Sequence, residues 1–144
     1  MNQQVYIILS TLGITISENN FINFKIKACN DVHVALISGN TENDPLYEIV
    51  IGGWKNTKSV LRTGKQANTA ATDEGDFLIC SEYKEFWISW DNITINIGRG
   101  DVFDDDTIFL TWSNADGLRT IINIGVYTAF GSTGEWIFYQ PGIV

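Results

Sequence analysis

A tryptophan set among polar residues is the first feature of this sequence that could do chemistry. In the segment 47–62, YEIVIGGWKNTKSVLR, Trp54 follows Gly52-Gly53 and precedes Lys55, Asn56, Thr57 and Lys58, and Arg62 closes the segment. An indole can lie against the apolar face of a sugar ring while amides and hydroxyls read its hydroxyl groups. The cations could meet an anionic substituent such as sulfate or sialic acid. The candidate ligand-binding set is therefore Trp54, Lys55, Asn56, Thr57, Lys58 and Arg62. The opposite reading is that Trp54 folds back and caps the core, where large aromatics commonly reside. Both readings are open at this level.

Other reactive residues are sparse. His33 is the only histidine, so neither a catalytic triad nor a histidine-based metal site can be assembled around it. Asp101, Asp104, Asp105 and Asp106 form an acidic loop with the oxygen ligands calcium takes. They miss the EF-hand pattern, because Asp106 stands where that loop requires glycine. Calcium is kept as the one metal candidate beside a solvated acidic turn. Glycoside hydrolysis needs two carboxyl groups at a set separation, and no pair stands out. Cys29 and Cys80 are the only cysteines and lie in no metal-ligand spacing, so one disulfide and two buried thiols are both open.

The elements that must position these residues read as strands. Tyr47, Ile49 and Ile51 fall on one face of a strand, with Glu48 and Val50 on the other. Gly52-Gly53 lets the chain turn sharply, and Ser59 to Arg62 resume a strand. Ile22, Phe24, Ile26 and Ala28 alternate with Asn23, Lys25 and Lys27, and Val32, Val34 and Leu36 return after the turn at Asn30-Asp31. Segments 5–10, 14–17, 77–80, 85–91, 94–98, 108–112, 120–127 and 135–139 read as further strands or short apolar pieces. Turns are expected at 18–20 and 130–134, and 63–76 as a long loop with a short strand inside. No window shows helical periodicity. Ten to twelve short strands with polar turns predict an all-β, antiparallel two-sheet β-sandwich or jelly roll, one domain over 1–144. Most of Trp87, Trp90, Trp112 and Trp136 are expected to fill the space between the sheets.

Composition agrees. Of 144 residues, 44% are hydrophobic and 12% aromatic, which suits a packed core rather than a disordered chain. The net charge of −8 makes a poor nucleic-acid or anionic-membrane binder. There is no acid between Glu48 and Asp73, while Lys55, Lys58, Arg62 and Lys65 cluster there. That basic island is either a solvated face or an attraction for an anionic ligand. The apolar run 5–9 lacks a preceding Lys or Arg, and Ser10, Thr11 and Gly13 interrupt it, so it reads as a first strand rather than a signal or a spanning helix. Asn92-Ile93-Thr94 is one glycosylation sequon, weak evidence for secretion, and extracellular and cytoplasmic locations both stay open.

The blocks FINFKIKACNDVHVALISG, YEIVIGGWKNTKSVLR, EFWISWDNITINIGRG, FLTW and INIGVYTAFGSTGEW run in that order over 21–136. In them the chain resembles the domain named after farnesoic acid O-methyltransferase, found in arthropods and in many multidomain animal proteins. The name implies methyl transfer to a terpenoid acid. The domain's occurrence beside adhesive or defence-type domains implies recognition. The residues favour the second implication. A common S-adenosylmethionine enzyme has a parallel α/β fold with a glycine-rich turn between strand and helix. Here the glycines of Ile95-Asn96-Ile97-Gly98-Arg99-Gly100 are followed by DVFDDDTIF, which starts no helix, and they read as hairpin glycines.

The expectation is a non-catalytic, lectin-like module that binds a glycan or glycoprotein. It needs no cofactor, with calcium at the acidic loop left open, inserts into no membrane and binds no nucleic acid; a homo-oligomer stays open. An enzyme or carrier for a terpenoid acid and a structural or oligomerisation domain are the alternatives.

Overall fold

The structure, a computed structural model, describes residues 5–16, 19–129 and 133–139. The alternation read from the sequence is cleanest in β2 (Phe21–Lys27), where Ile22, Phe24 and Ile26 are buried and the residues between them are half-buried. β2 belongs to a five-stranded sheet ordered β11-β2-β7-β8-β9, with β7 Lys84–Trp90, β8 Thr94–Arg99, β9 Ile108–Ser113 and β11 Glu135–Phe138. The second sheet has six strands ordered β1-β10-β3-β4-β5-β6. These are β1 Ile7–Ile8, β3 Val32–Ile37, β4 Leu46–Gly52, β5 Lys58–Arg62, β6 Thr69–Glu74 and β10 Asn123–Thr128. All pairings are antiparallel. The chain is the two-sheet sandwich that its patterning predicts.

The space between the sheets holds Phe24, Ile26, Phe86, Ile88 and Trp90 from one side and Val34, Leu36, Tyr47, Ile49, Ile51 and Leu61 from the other. β3 and β4 are buried along their whole length, outward-facing residues included. The reason is a second apolar layer on the outer face of the six-stranded sheet, made of Tyr6, Ala35, Ile37, Leu46, Tyr127 and Ala129. Tyr6 meets Tyr127 edge-on at 4.4 Å. It lies flat on β10 because Gly125 is there; a Cβ at that position would come within 3.0 Å of it.

Several expected boundaries move. The first strand shrinks to Ile7–Ile8, and Leu9–Leu12 closes into a 3-10 turn, with Gly13 left-handed at φ 78. Leu9 turns into the core there, which a continued strand would not allow. Residues 14–16 are irregular, and β10 starts at Asn123 rather than at 120. The end of the expected strand at 17 and part of the expected turns, 18 and 130–132, lie outside the described residues. Trp87 is fully buried but outside the inter-sheet core. It sits on the outer face of the five-stranded sheet, roofed by Phe103 at 4.9 Å, and its Nε1 donates to Thr107 Oγ1 at 3.2 Å.

Cys29 and Cys80 are joined in a disulfide that closes a loop of sequence separation 51. It ties the turn between β2 and β3 to the segment following Leu78. Loop-closure entropy for that length gives at most about 4 kcal/mol, with about 2–4 kcal/mol usual for such bridges. Replacing both cysteines by serine is expected to lower the melting temperature by many degrees, read by calorimetry. An unchanged melting temperature would show that the bridge restrains nothing in the unfolded chain.

Candidate functional site

Gly53–Asn56 closes a single helical turn between β4 and β5. It is not right-handed. Gly52, Trp54, Lys55 and Asn56 have φ of 66, 51, 61 and 63°. Glycine is at home there, but each L-residue costs roughly 1–2 kcal/mol. Such a run persists only where the surroundings over-determine it, and such surroundings cluster at functional sites. The surroundings are on view. Asn56 Oδ1 accepts from the amides of Phe77 and Leu78 at 3.0 and 3.1 Å, and its Nδ2 donates to the Leu78 carbonyl at 2.8 Å. Thr57 Oγ1 donates to the Trp54 carbonyl at 2.7 Å. The buried Ser59 Oγ accepts from the Gly52 amide at 3.1 Å. A Cβ on Gly52 would fall 2.6 Å from Leu78 Cδ1 and 2.7 Å from Asn56 Oδ1. Asn56 and Thr57, expected to read a ligand, therefore have their polar groups committed to holding this turn.

Trp54 is 45% exposed, so it does not cap the core. Lys58 Nζ stands over its ring at 4.2 Å from the centroid, and the Arg62 guanidinium carbon is 5.6 Å away. Trp54, Lys55 and Arg62 line a cavity of about 600 Å³ on the outer face of the six-stranded sheet, together with Asn30, Asp31, His33, Val50 and Gln66. The β3–β4 register places His33 opposite Val50, and β4–β5 places Glu48 opposite Arg62, so four strand positions converge on one patch. Of the six residues proposed from the sequence, three reach the cavity, Lys58 supports the indole, and two build the turn.

The electrostatics differ from the sequence picture. The basic island meets acids once folded. Arg62 Nη1 pairs with the fully buried Glu48 carboxylate at 3.1 Å, Lys65 pairs with Glu42, and Lys58 stands opposite Glu74. The island is therefore partly neutralised: Arg62 and Lys65 are paired, while Lys55 and Lys58 make no ion pair with a described residue. His33 is buried, and burial holds its imidazole below the ordinary histidine range. Its Nδ1 lies 3.0 Å from the Asp31 carbonyl, which can only accept, so Nδ1 carries the proton. The ring stacks on Tyr127 at 4.3 Å. Asp31 is 7% exposed, with its backbone left-handed at φ 55. Burial pushes its carboxyl up to about 6, against a smaller pull downward from Arg62.

A second groove, of about 680 Å³, lies on the opposite sheet and is lined by Asn23, Ser89 and Asn96 with Phe21, Phe103 and Tyr139. The acidic loop borders it. Asp104 Oδ1 accepts from the Asp106 amide at 3.0 Å, and the Asp101 carbonyl accepts from Asn23 Nδ2 at 3.0 Å. Among the described residues no three His, Cys, Asp or Glu side chains gather closely enough to hold a metal. Asp101, Asp104, Asp105 and Asp106 are thus not brought to one point. The loop instead presents Phe103 and Thr107 to Trp87. Among the described residues no helix is long and apolar enough to cross a membrane.

The model of the family described as farnesoic acid O-methyl transferase matches residues 3–142. The chain belongs to that family. A relative from Haliotis asinina, called Uncharacterized protein 5, is 32% identical over 101 residues, covering 67% of this chain. The chain spans 57% of that relative's length. Among solved structures it is similar to sheep galectin-11 in complex with glycerol, with a TM-score of 0.54 at 10% identity over 96% of this chain and 97% of that one. It is also similar to a native glycosidic hydrolase, with a TM-score of 0.51 at 14% identity over 88% of this chain and 66% of that one. At such identities these likenesses speak for the sandwich fold alone.

In this member of the farnesoic acid O-methyltransferase family, sequence reasoning missed Asn30, Asp31, His33, Val50 and Gln66 as cavity residues. His33 and Val50 were within reach, since alternation puts both on the face opposite the inter-sheet core. Asp31 was hidden as an ordinary turn residue. Its raised pKa has a consequence for stability. The folded value of about 6 exceeds the ordinary aspartate value, so Asp31's contribution to stability is fully present below about pH 4 and is lost as pH rises through about 6. Asp31→Asn keeps the shape and tolerates the left-handed backbone. At about pH 7.5 it is expected to raise stability, by up to about 3 kcal/mol, and at about pH 4 to match wild type. Denaturant melts at the two pH values check this; equal stability of both proteins at both values would contradict it.

Proposed function

We propose that this domain is a non-catalytic, lectin-like module that binds a glycan in the cavity beside Trp54. One observation carries the reading. A half-exposed indole is fixed by a strained left-handed turn at the mouth of a cavity lined largely by polar side chains. Sugar recognition needs that combination, an aromatic face for the C–H surface of the ring and fixed polar groups for its hydroxyls. The similar solved sandwiches, a galectin holding glycerol and a glycosidic hydrolase, lie in the same direction, although by fold alone.

The family's description points instead to methyl transfer on a terpenoid acid. Two features weigh against that reading. Among the described residues all sheet pairings are antiparallel, and no strand-turn-helix unit offers its helix N-terminus to a nucleotide. Six of the eight residues lining the cavity, Asn30, Asp31, His33, Lys55, Arg62 and Gln66, carry polar groups that a plain isoprenoid chain cannot match.

Trp54→Ala tests the glycan reading. The side chain is half in solvent, so the variant is expected to melt within a few degrees of wild type. Removal of a buried Trp would cost about 3–5 kcal/mol. On a glycan array the variant is expected to lose the binding that wild type shows. Wild-type levels of binding by a folded Trp54→Ala protein would place the site elsewhere.

A further inference from the structure

We propose that Asp31 and Arg62 form an acceptor–donor pair that reads two neighbouring hydroxyl groups of an uncharged sugar, so that the cavity selects neutral saccharides over sulfated or sialylated ones. The inference rests on the glycan reading and goes beyond it by naming the reading residues and the ligand's charge.

Two cavity-lining groups carry it, an accessible acceptor and a buried donor without a partner. Asp31 lines the cavity, and its carboxylate oxygens, which accept no hydrogen bond from a described residue, keep access to it. Its backbone is fully engaged: the amide donates to the Gly52 carbonyl, and the Asp31 carbonyl accepts from His33 and from the Ala129 amide. Nothing comparable reaches the side chain. Arg62 lines the same cavity. Its Nη1 is committed to Glu48, while its Nε is buried without a partner among the described residues. Buried polar groups are almost always satisfied, and an exception in a cavity marks where a ligand atom belongs. One group accepts and the other donates. A pair of adjacent sugar hydroxyls supplies both complements, since each hydroxyl donates one hydrogen and accepts through its oxygen. Trp54 stands at the same cavity for the ring itself.

The surroundings decide the charge. Arg62 comes from β5 already paired with Glu48 on β4, burial favours the neutral form of His33 on β3, and Lys55 at the rim and Lys58 over the Trp54 ring are the remaining cations. An anionic substituent would meet the Asp31 carboxylate in a poorly solvated cavity and compete with Glu48 for Arg62. Like charges at such a site disfavour the ligand. An uncharged hydroxyl pair meets no such penalty, and it stabilises the ionised carboxylate that burial alone disfavours.

The test measures binding of wild type, Asp31→Asn and Trp54→Ala to mannose-, galactose-, glucose- and fucose-terminated saccharides and to their sulfated and sialylated counterparts, at about pH 7.5 and about pH 5. Wild type is expected to bind a neutral saccharide at least about tenfold more tightly than its charged counterpart, and more weakly at the lower pH. Asp31→Asn is expected to lose about tenfold or more in affinity while melting no lower than wild type. Tighter binding of the charged saccharide, or unchanged binding by Asp31→Asn while Trp54→Ala abolishes it, overturns the inference and leaves the glycan reading standing. If wild type binds no saccharide of the panel, the glycan reading itself falls and this inference falls with it.

Discussion

Glu48 presents a carboxylate with no exposure to solvent, and donors from three separate segments converge on it. Tyr6 gives its hydroxyl at 2.5 Å, Arg62 its Nη1 at 3.1 Å and Gln66 its backbone amide at 2.9 Å. A buried charge is tolerated only when it is paired and hydrogen-bonded on several sides, and removing one partner typically costs about 3–5 kcal/mol. The outer face of the six-stranded sheet is organised around that requirement. Tyr6 pins the N-terminal segment across β10 and β3. Gln66 fixes the connection leaving β5. Arg62 is held with one edge toward Glu48, and its Nε is buried without a partner among the described residues.

The same economy runs through the Trp54 turn. Its left-handed residues would relax if nothing held them, and what holds them is the side chain of Asn56 gripping Phe77 and Leu78. That segment is itself anchored by the Cys29–Cys80 bridge to the turn bearing Asn30 and Asp31. The indole and the acid therefore sit on two connections joined by one covalent link and one three-bond clamp. Rigid placement of this kind lowers the ordering entropy that a ligand would otherwise have to overcome. It also explains why a destabilising carboxylate can persist: the surrounding scaffold does not depend on it.

The fold was legible because most strands obey a two-residue period, as Ile22, Phe24 and Ile26 do. β3 did not show its two faces, since the outer layer of Tyr6, Leu46 and Tyr127 buries the positions that alternation would leave wet. Trp54 was readable as a loop residue, but its exposure was decided by backbone handedness, which a Gly-Gly pair permits without specifying. Asn56 and Thr57 looked like ligand contacts because amides and hydroxyls serve turns and sugars equally well. Asp31 was illegible for a different reason. Its burial depends on Gly53, Arg62 and His33 coming together from three places in the chain. The basic island was legible in sequence and is partly neutralised in space, where Glu48 pairs with Arg62 and Glu42 with Lys65.

Two outer faces carry grooves, and the glycan account assigns the ligand to one of them. The opposite groove, with Asn23, Ser89 and Asn96, is the rival location on this molecule. Heteronuclear NMR titration of the nitrogen-labelled protein with a neutral mannose-, galactose- or fucose-terminated saccharide separates them most directly. The account predicts saturable shifts at the Trp54 indole N–H and at the amides of Asn30, Asp31, Gly53 and Lys55. Shifts confined to Asn23, Ser89, Asn96 and their neighbours, with the Trp54 indole unmoved, would contradict it.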